Sequence, residues 1–231
     1  MRIADYACLD IGRQGRTGVP EVVLAEGKRP AHLKRIVEAM LDKCGRAIVT
    51  RASPSAIRAL SGLPGRHREY PDAGIMVLTM PGFRPPRRGG TVGVICAGTS
   101  DFRVAQEARI IAEQLGCATV SAYDVGVAGV HRLFDALARM RRRNVDVYIA
   151  VAGREGALPT ILAGMVDRPV IGVPVSTGYG MAGKGKSALY AMLQSCSPLV
   201  VVNIDAGFVA GAVAAQIASR SMRRSGRGAP G

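Results

Sequence analysis

Tryptophan is absent from the sequence, and tyrosine and phenylalanine leave aromatic residues at only 4%. Proteins that bind single-stranded nucleic acid stack bases on aromatic side chains, so this scarcity argues against such a platform. Histidine is nearly as scarce: His32, His67 and His131 stand far apart, which argues against a metal site built from imidazoles. The five cysteines (Cys8, Cys44, Cys96, Cys117 and Cys196) form no CxxC pair and are odd in number. Neither a zinc site nor a secreted disulfide framework is indicated, and reduced thiols are expected. Apolar runs such as LVVVNI (199–204) stop well short of the roughly 20 residues needed to span a bilayer. The start, MRIADYACLDIGRQG, has no hydrophobic signal core. The expected location is the cytoplasm, with no membrane contact.

What the chain does have is positive charge, glycine and apolar residues. A formal net charge of +14 favours anionic partners. Much of the excess sits in short clusters, RPPRR (84–88), RMRRR (139–143) and RRSGR (223–227), which read as solvated faces. No nucleic-acid partner is expected. A hydrophobic content of 48% is enough to bury a core.

The segment PGFRPPRRGG (81–90) cannot hold a helix or a central strand and reads as a linker. Residues 1–80 mix one helix-like stretch, AHLKRIVEAMLDKCG, with strand-like VVLAE, AIVTRA and GIMVLTM, and predict a small N-terminal α/β domain. From residue 91 to 220 the pattern is regular. Continuous apolar runs TVGVICAG, CATVSAYDVG, VDVYIAVAG, RPVIGVPVS and LVVVNIDAG alternate with helical stretches near 101–115, 129–143, 156–166, 185–195 and 208–220. Strands without polar alternation are buried on both faces, so this is a doubly wound parallel α/β sheet of the three-layer, flavodoxin/Rossmann-like kind. Residues 221–231 lack apolar periodicity and predict a disordered basic tail.

Open parallel sheets bind ligands beyond the carboxyl ends of their strands. Those ends are rich in glycine and polar side chains here: AGTSD (97–101), YDVGVAGVHR (123–132), AGREGALP (152–159) and PVSTGYGMAGKGK (174–186). In the first, glycine permits close approach, Thr99 and Ser100 offer hydroxyls, and Asp101 can cap the next helix or accept a sugar hydroxyl. It is neither a Walker motif nor a GxGxxG fingerprint. In the third, Glu155 is a candidate acid–base group, or the ion-pair partner of Arg154. His131 is a candidate only in combination with its neighbours. Cys196, in AMLQSCSP (191–198), precedes the last strand rather than following one, and fold logic alone would make it a packing residue.

The run from Thr91 to about Ile217 resembles the PurE-like carboxylase domain, and more closely the LarB family, which begins synthesis of the nickel-pincer nucleotide cofactor. AGTSDFRVAQEA resembles the shared phosphate and ribose loop. DVGVAGVHRL, VAGREGALPTILAGMVDRPVIGVPVS and AMLQSCSP resemble the LarB family, and so does LDIGRQGRTGVPEVVLAEGK (9–28). The family segment reads closer to LNSCA where this chain has LQSCS, and Lys184 and Lys186 stand in a loop that is less charged in the family. The resemblance implies carboxylation of nicotinic acid adenine dinucleotide at pyridinium C5 and hydrolysis of its phosphoanhydride, giving pyridinium-3,5-biscarboxylic acid mononucleotide and AMP. It makes Cys196 the covalent nucleophile, with Glu155 and His131 as catalytic partners. It places Gly98, Thr99, Ser100, Asp101, Asp124, Gly126, Gly153, Ser176, Gly178 and Tyr179 around the substrate. Magnesium is expected with the substrate phosphates, carbon dioxide or bicarbonate as co-substrate, no protein-held metal, and a closed homo-oligomer with the octamer as candidate size. The rival readings are an aminoimidazole ribonucleotide carboxylase or mutase, which needs no thiol, and a non-catalytic nucleotide- or nucleic-acid-binding module.

Overall fold

A computed structural model of the chain describes residues 1–178, 180 and 183–225, the last four of these by backbone alone. The chain forms two compact units, Met1–Arg84 and Pro85–Gly231.

The first unit opens with a short antiparallel pair, β1 (Arg2–Ile3) and β2 (Ala7–Cys8), and a single-turn helix α1 (Arg13–Thr17). There follow β3 (Val23–Leu24), α2 (Pro30–Cys44), β4 (Arg46–Thr50), α3 (Pro54–Leu60), β5 (Arg66–Tyr70) and β6 (Ile75–Thr79). α2 begins at Pro30, where a missing N–H costs nothing, and ends on Gly45 in the left-handed region. Its apolar stripe, Leu33, Ile36, Val37, Met40 and Leu41, is buried against Ala47 and Val49 of β4 and Met76 and Leu78 of β6. The sheet order is β3-β4-β6-β5, parallel between β3 and β4 and antiparallel elsewhere. β5 is not among the strands expected from the sequence. It reads RHREY, without an apolar pattern to mark it, and owes its conformation to pairing with the buried β6.

The second unit alternates strand and helix: β7 (Thr91–Cys96), α4 (Phe102–Gln114), β8 (Ala118–Ala122), α5 (His131–Arg142), β9 (Val147–Ala152), α6 (Ala157–Ala163), β10 (Val170–Pro174), α7 (Lys186–Leu193), β11 (Val200–Val201) and α8 (Gly207–Ser225). All five strands are parallel, in the order β11-β10-β9-β7-β8. That is the flavodoxin-like order, and it reverses direction between β7 and β9. β9 and β10 are buried at every position, as strands covered on both faces must be. The last strand keeps only two residues of the longer run expected. The last helix runs to Ser225, so the basic tail expected from residue 221 does not begin there: 221–225 are helical, and 226–231 lie outside the described residues.

α5, α6 and α7 cover one face of the sheet through Leu133, Leu137, Leu158, Leu162 and Met192. α4 and α8 pack together on the other, and small residues of α8 set their spacing. A Cβ on Gly211 would lie 2.4 Å from the carbonyl oxygen of Ala108 on α4. Helix propensity alone would make Gly211→Ala stabilising by about 1 kcal/mol. The packing reverses the sign: urea unfolding is expected to show Gly211→Ala destabilised by about 1–3 kcal/mol. A stabilised variant would mean that the two helices do not approach so closely.

Candidate active site

The loops that leave β7, β8, β9 and β10 meet around a cleft of about 290 Å³ at the carboxyl edge of the sheet. It lies at the reversal of strand order, where the β7 and β9 loops diverge and the sheet cannot close over its own end. Its floor is Ala97, Gly98 and Asp101 after β7 and Gly153 after β9. Gly126 and Arg132 form one side, and Arg154, Glu155, Thr177 and Gly178 the other.

Asp101 holds these loops together. It is only 3% exposed, and its Oδ2 accepts the Gly98 N–H at 2.9 Å, tightening the turn that starts α4. Its Oδ1 faces the β10 loop, where the Thr177 hydroxyl donates at 3.5 Å, and it lies close against Gly153 of the β9 loop. A Cβ on Gly153 would lie 2.8 Å from Asp101 Oδ1 and 3.1 Å from Thr177 Oγ1, so only glycine lets the β9 loop pass this close. Burial pushes the Asp101 carboxyl above its ordinary 3.8, opposed by the Gly98 and Thr177 hydrogen bonds and helped by the nearby charge of Glu155. Asp101 therefore lines the cleft as a brace between its own turn and the β10 loop.

Arg132 is not among the candidates drawn from the sequence, yet it lines the cleft. Its NH1 donates to Asp124 Oδ2 at 2.8 Å. Asp124 takes the left-handed region at φ 56°, which turns its carboxylate towards α5 rather than into the cleft. The pair is partly solvated and contributes about 0–1 kcal/mol to folding, so its use is to aim the guanidinium. A signal exists in the sequence, because arginine follows histidine at the head of α5 in VAGVHR, but the histidine is the more familiar catalytic type. His131 itself is exposed at the first position of α5 and is not part of the cleft lining.

The remaining expected residues divide. Gly98, Ser100, Asp101, Gly126, Gly153, Glu155 and Gly178 come together at the cleft. Thr99 and Ser176 are exposed nearby, and the Ser176 N–H is engaged by Asp205 Oδ1 at 2.9 Å. Tyr179 lies outside the described residues. Cys196 is exposed, but it precedes β11 on the amino side of the sheet and is not among the cleft lining residues of its own chain. The thiol nearest the cleft in sequence, Cys96, is buried, donates to the Gly98 carbonyl at 3.4 Å, and is pushed up to about 11 by desolvation. Such a thiol is protonated at neutral pH and is a poor nucleophile.

The comparisons with known proteins agree with this architecture. A family model described as AIR carboxylase matches residues 91–226, and one described as LarB/PurE-like N-terminal domain matches residues 1–80. The uncharacterized protein MJ0165 of Methanocaldococcus jannaschii is 43% identical over 221 residues, covering 91% of this chain and 83% of its own. The N5-carboxyaminoimidazole ribonucleotide mutase of Pyrococcus horikoshii is 32% identical over 136 residues, or 56% of this chain and 70% of its own. The probable mutase of the same name from Methanothermobacter thermautotrophicus is 35% identical over 132 residues, or 54% of this chain and 37% of its own. With a five-stranded parallel sheet in the order these loops require and a separate α/β unit before it, the chain belongs to the AIR carboxylase family of the PurE superfamily, in the form that carries a LarB/PurE-like N-terminal domain.

Proposed function

We propose that the protein carboxylates the pyridinium ring of nicotinic acid adenine dinucleotide at C5 and hydrolyses its phosphoanhydride, releasing pyridinium-3,5-biscarboxylic acid mononucleotide and AMP. The observation that carries this reading is the pairing of a LarB/PurE-like N-terminal unit with a PurE-like unit that offers one exposed thiol, Cys196, in a segment that resembles the one holding the LarB family's nucleophile.

A pyridinium ring is electron-poor, so its C5 does not attack carbon dioxide unaided. Addition of the Cys196 thiolate to C4 makes a dihydropyridine in which the ring nitrogen feeds electron density to C5. C5 then bonds to carbon dioxide, supplied as such or from bicarbonate. A base takes the C5 proton, and expulsion of the thiolate breaks the S–C4 bond and restores aromaticity. Glu155, exposed at the cleft, is the residue we assign to that proton. Arg132 and Arg154 supply positive charge for the substrate's carboxylate and phosphates. Magnesium would arrive with those phosphates.

Two features support a multi-subunit site. Cys196 is not at the cleft of its own chain, and about 290 Å³ is at the small end of the range for ligand pockets, tight for a dinucleotide. A homo-oligomer in which a neighbouring copy presents Cys196 to the cleft meets both, and exposed Tyr190, Leu193 and Val200 around that cysteine offer it an apolar seat.

The second reading, conversion of N5-carboxyaminoimidazole ribonucleotide, is favoured by the names of relatives that match 54–56% of this chain. It needs no thiol, because the aminoimidazole carbon is already nucleophilic. Incubation with nicotinic acid adenine dinucleotide, magnesium and ¹³C-bicarbonate distinguishes the two. Labelled carboxylated mononucleotide plus AMP is expected from the wild type, and from Cys196→Ala a loss of at least about 10³-fold, roughly the cost of removing a covalent nucleophile. Unchanged dinucleotide, with turnover of the aminoimidazole instead, would reject the first reading.

Arg132→Ala is expected to raise KM by about 10- to 100-fold, the size of a lost charge-assisted hydrogen bond. Arg132→Lys should recover only part of that, because lysine cannot make a forked contact. An unaltered KM would remove Arg132 from the binding site.

Asp101→Asn tests the brace. The folded protein holds the Asp101 proton more tightly than the unfolded chain, so wild-type stability declines through this group as pH rises past 3.8. Asparagine removes that dependence. Urea unfolding between about pH 4 and 7 should therefore show the variant gaining on the wild type as pH rises, while its turnover falls. Parallel stability curves would mean that Asp101 ionises as freely as in the unfolded chain.

A further inference from the structure

Two glycines bound the short 3₁₀ turn, Val127–Gly129, that leads into α5 and to Arg132, and they are glycine for different reasons. At Gly126 the backbone bars a side chain, because a Cβ there would lie 2.9 Å from the Ala97 carbonyl oxygen. At Gly129 the backbone makes no such demand. Its φ lies outside the left-handed region, and its N–H donates to the Gly126 carbonyl at 3.0 Å, as any residue but proline could. What a side chain would meet there is Arg132: a Cβ on Gly129 would lie 2.8 Å from Nε, 3.0 Å from Nη2 and 3.2 Å from Cζ. All three distances fall inside the separation of about 3.5 Å at which non-bonded heavy atoms come to rest.

The order of these distances tells which side of the guanidinium is involved. A point over the flat face of the group would lie nearest the central carbon. Here Cζ is the farthest of the three, so the position stands off the edge that carries Nε and Nη2. On that edge two N–H bonds run side by side, in the fork that matches two oxygens of a carboxylate or phosphate. The remaining nitrogen, Nη1, donates to Asp124 Oδ2 at 2.8 Å, so the ion pair leaves the fork unused. A methyl group at position 129 would cap the fork or push it out of line. Because the atoms it meets are the end of a flexible side chain and not backbone, the fold would absorb it.

We infer that Gly129 is a positioning residue of the cleft: its missing side chain keeps the Nε–Nη2 fork of Arg132 clear for a two-oxygen anionic group of the substrate, while Asp124 holds the guanidinium from its other end. The inference rests on the assignment of Arg132 to substrate binding. It adds how that arginine binds, through two parallel hydrogen bonds and not as a diffuse charge.

A mutant cycle in the full-length protein, with nicotinic acid adenine dinucleotide as substrate, tests it. Gly129→Ala is expected to raise KM by about 5- to 20-fold with kcat within about twofold. Its urea midpoint should not fall below that of the wild type, since alanine suits an ordinary φ. In an Arg132→Ala or Arg132→Lys background, where no fork exists, the same substitution should move KM by less than about twofold. A defect of the turn itself would carry through every background. Nicotinamide adenine dinucleotide, with an amide in place of the carboxylate, identifies the group held: as a competitive inhibitor its Ki rises in Gly129→Ala if the fork takes a phosphate and is unmoved if it takes the carboxylate. If the chain turns over N5-carboxyaminoimidazole ribonucleotide instead, the cycle is run on that phosphate ester with the same expectations. An unaltered KM in Gly129→Ala where Arg132→Ala raises it, or penalties that multiply in the double variant, would overturn the inference and leave Arg132 in the binding site. A KM indifferent to both substitutions would remove Arg132 and Gly129 together.

Discussion

The candidate site depends on one buried carboxylate. Asp101 bonds its own turn through Gly98 and the β10 loop through Thr177, and the β9 loop passes close against it at Gly153. Each loop leaves a different strand; backbone bonds such as Ala97 N–H to the Val151 carbonyl at 2.9 Å carry the pairing just past the strand ends, and Asp101 ties the loops together beyond them. The cost is a charge held out of water, visible as the upward push on the Asp101 carboxyl. A buried carboxyl hydrogen-bonded to two of the loops is suited to hold the shape of the cleft. The groups placed to act on a ligand are those at the rim, Arg132, Arg154 and Glu155.

Under the proposed reading, the chain's chemistry is divided between two edges of the sheet. The carboxyl edge carries the cleft, and the amino edge carries the exposed thiol of Cys196. Helix α7 runs between them for eight residues, about 12 Å, so the separation is set by the fold and not by a loop that could swing across. Of the thiols in this unit, Cys96 and Cys117 are buried and pushed up to about 11, which leaves Cys196 as the one accessible to a substrate. A function that needs both edges is a function of an assembly, and the proposed carboxylation is of that kind.

Much of this is legible in the sequence, and the reasons are physical. Unbroken apolar runs such as VYIAVA can only be strands covered on both sides, so the parallel sheet and its helices follow from periodicity. The glycine-rich strand ends locate the cleft. β5 is invisible because a charged strand is held by its neighbour rather than by its own pattern. Arg132 escapes notice because its importance lies in a turn that points it at the cleft, with Asp124 at φ 56° aiming it, and no local sequence rule reports direction. The brace role of Asp101 is hidden for a similar reason. Its neighbours Gly153 and Thr177 are 52 and 76 residues away, and their meeting is a property of strand order.

The central claim, that cleft and thiol come from different copies of the chain, is tested most directly by subunit mixing. Cys196→Ala retains a cleft and lacks the thiol, whereas a variant with Arg132→Ala and Glu155→Gln retains the thiol and lacks the cleft groups. Each alone should be nearly inactive on nicotinic acid adenine dinucleotide. Co-assembled, they should regain a substantial fraction of wild-type carboxylation, because some interfaces then unite an intact cleft with an intact thiol. If hybrids stay as inactive as their parents while wild-type subunits assembled in the same way are active, cleft and thiol serve within one chain and the account is contradicted.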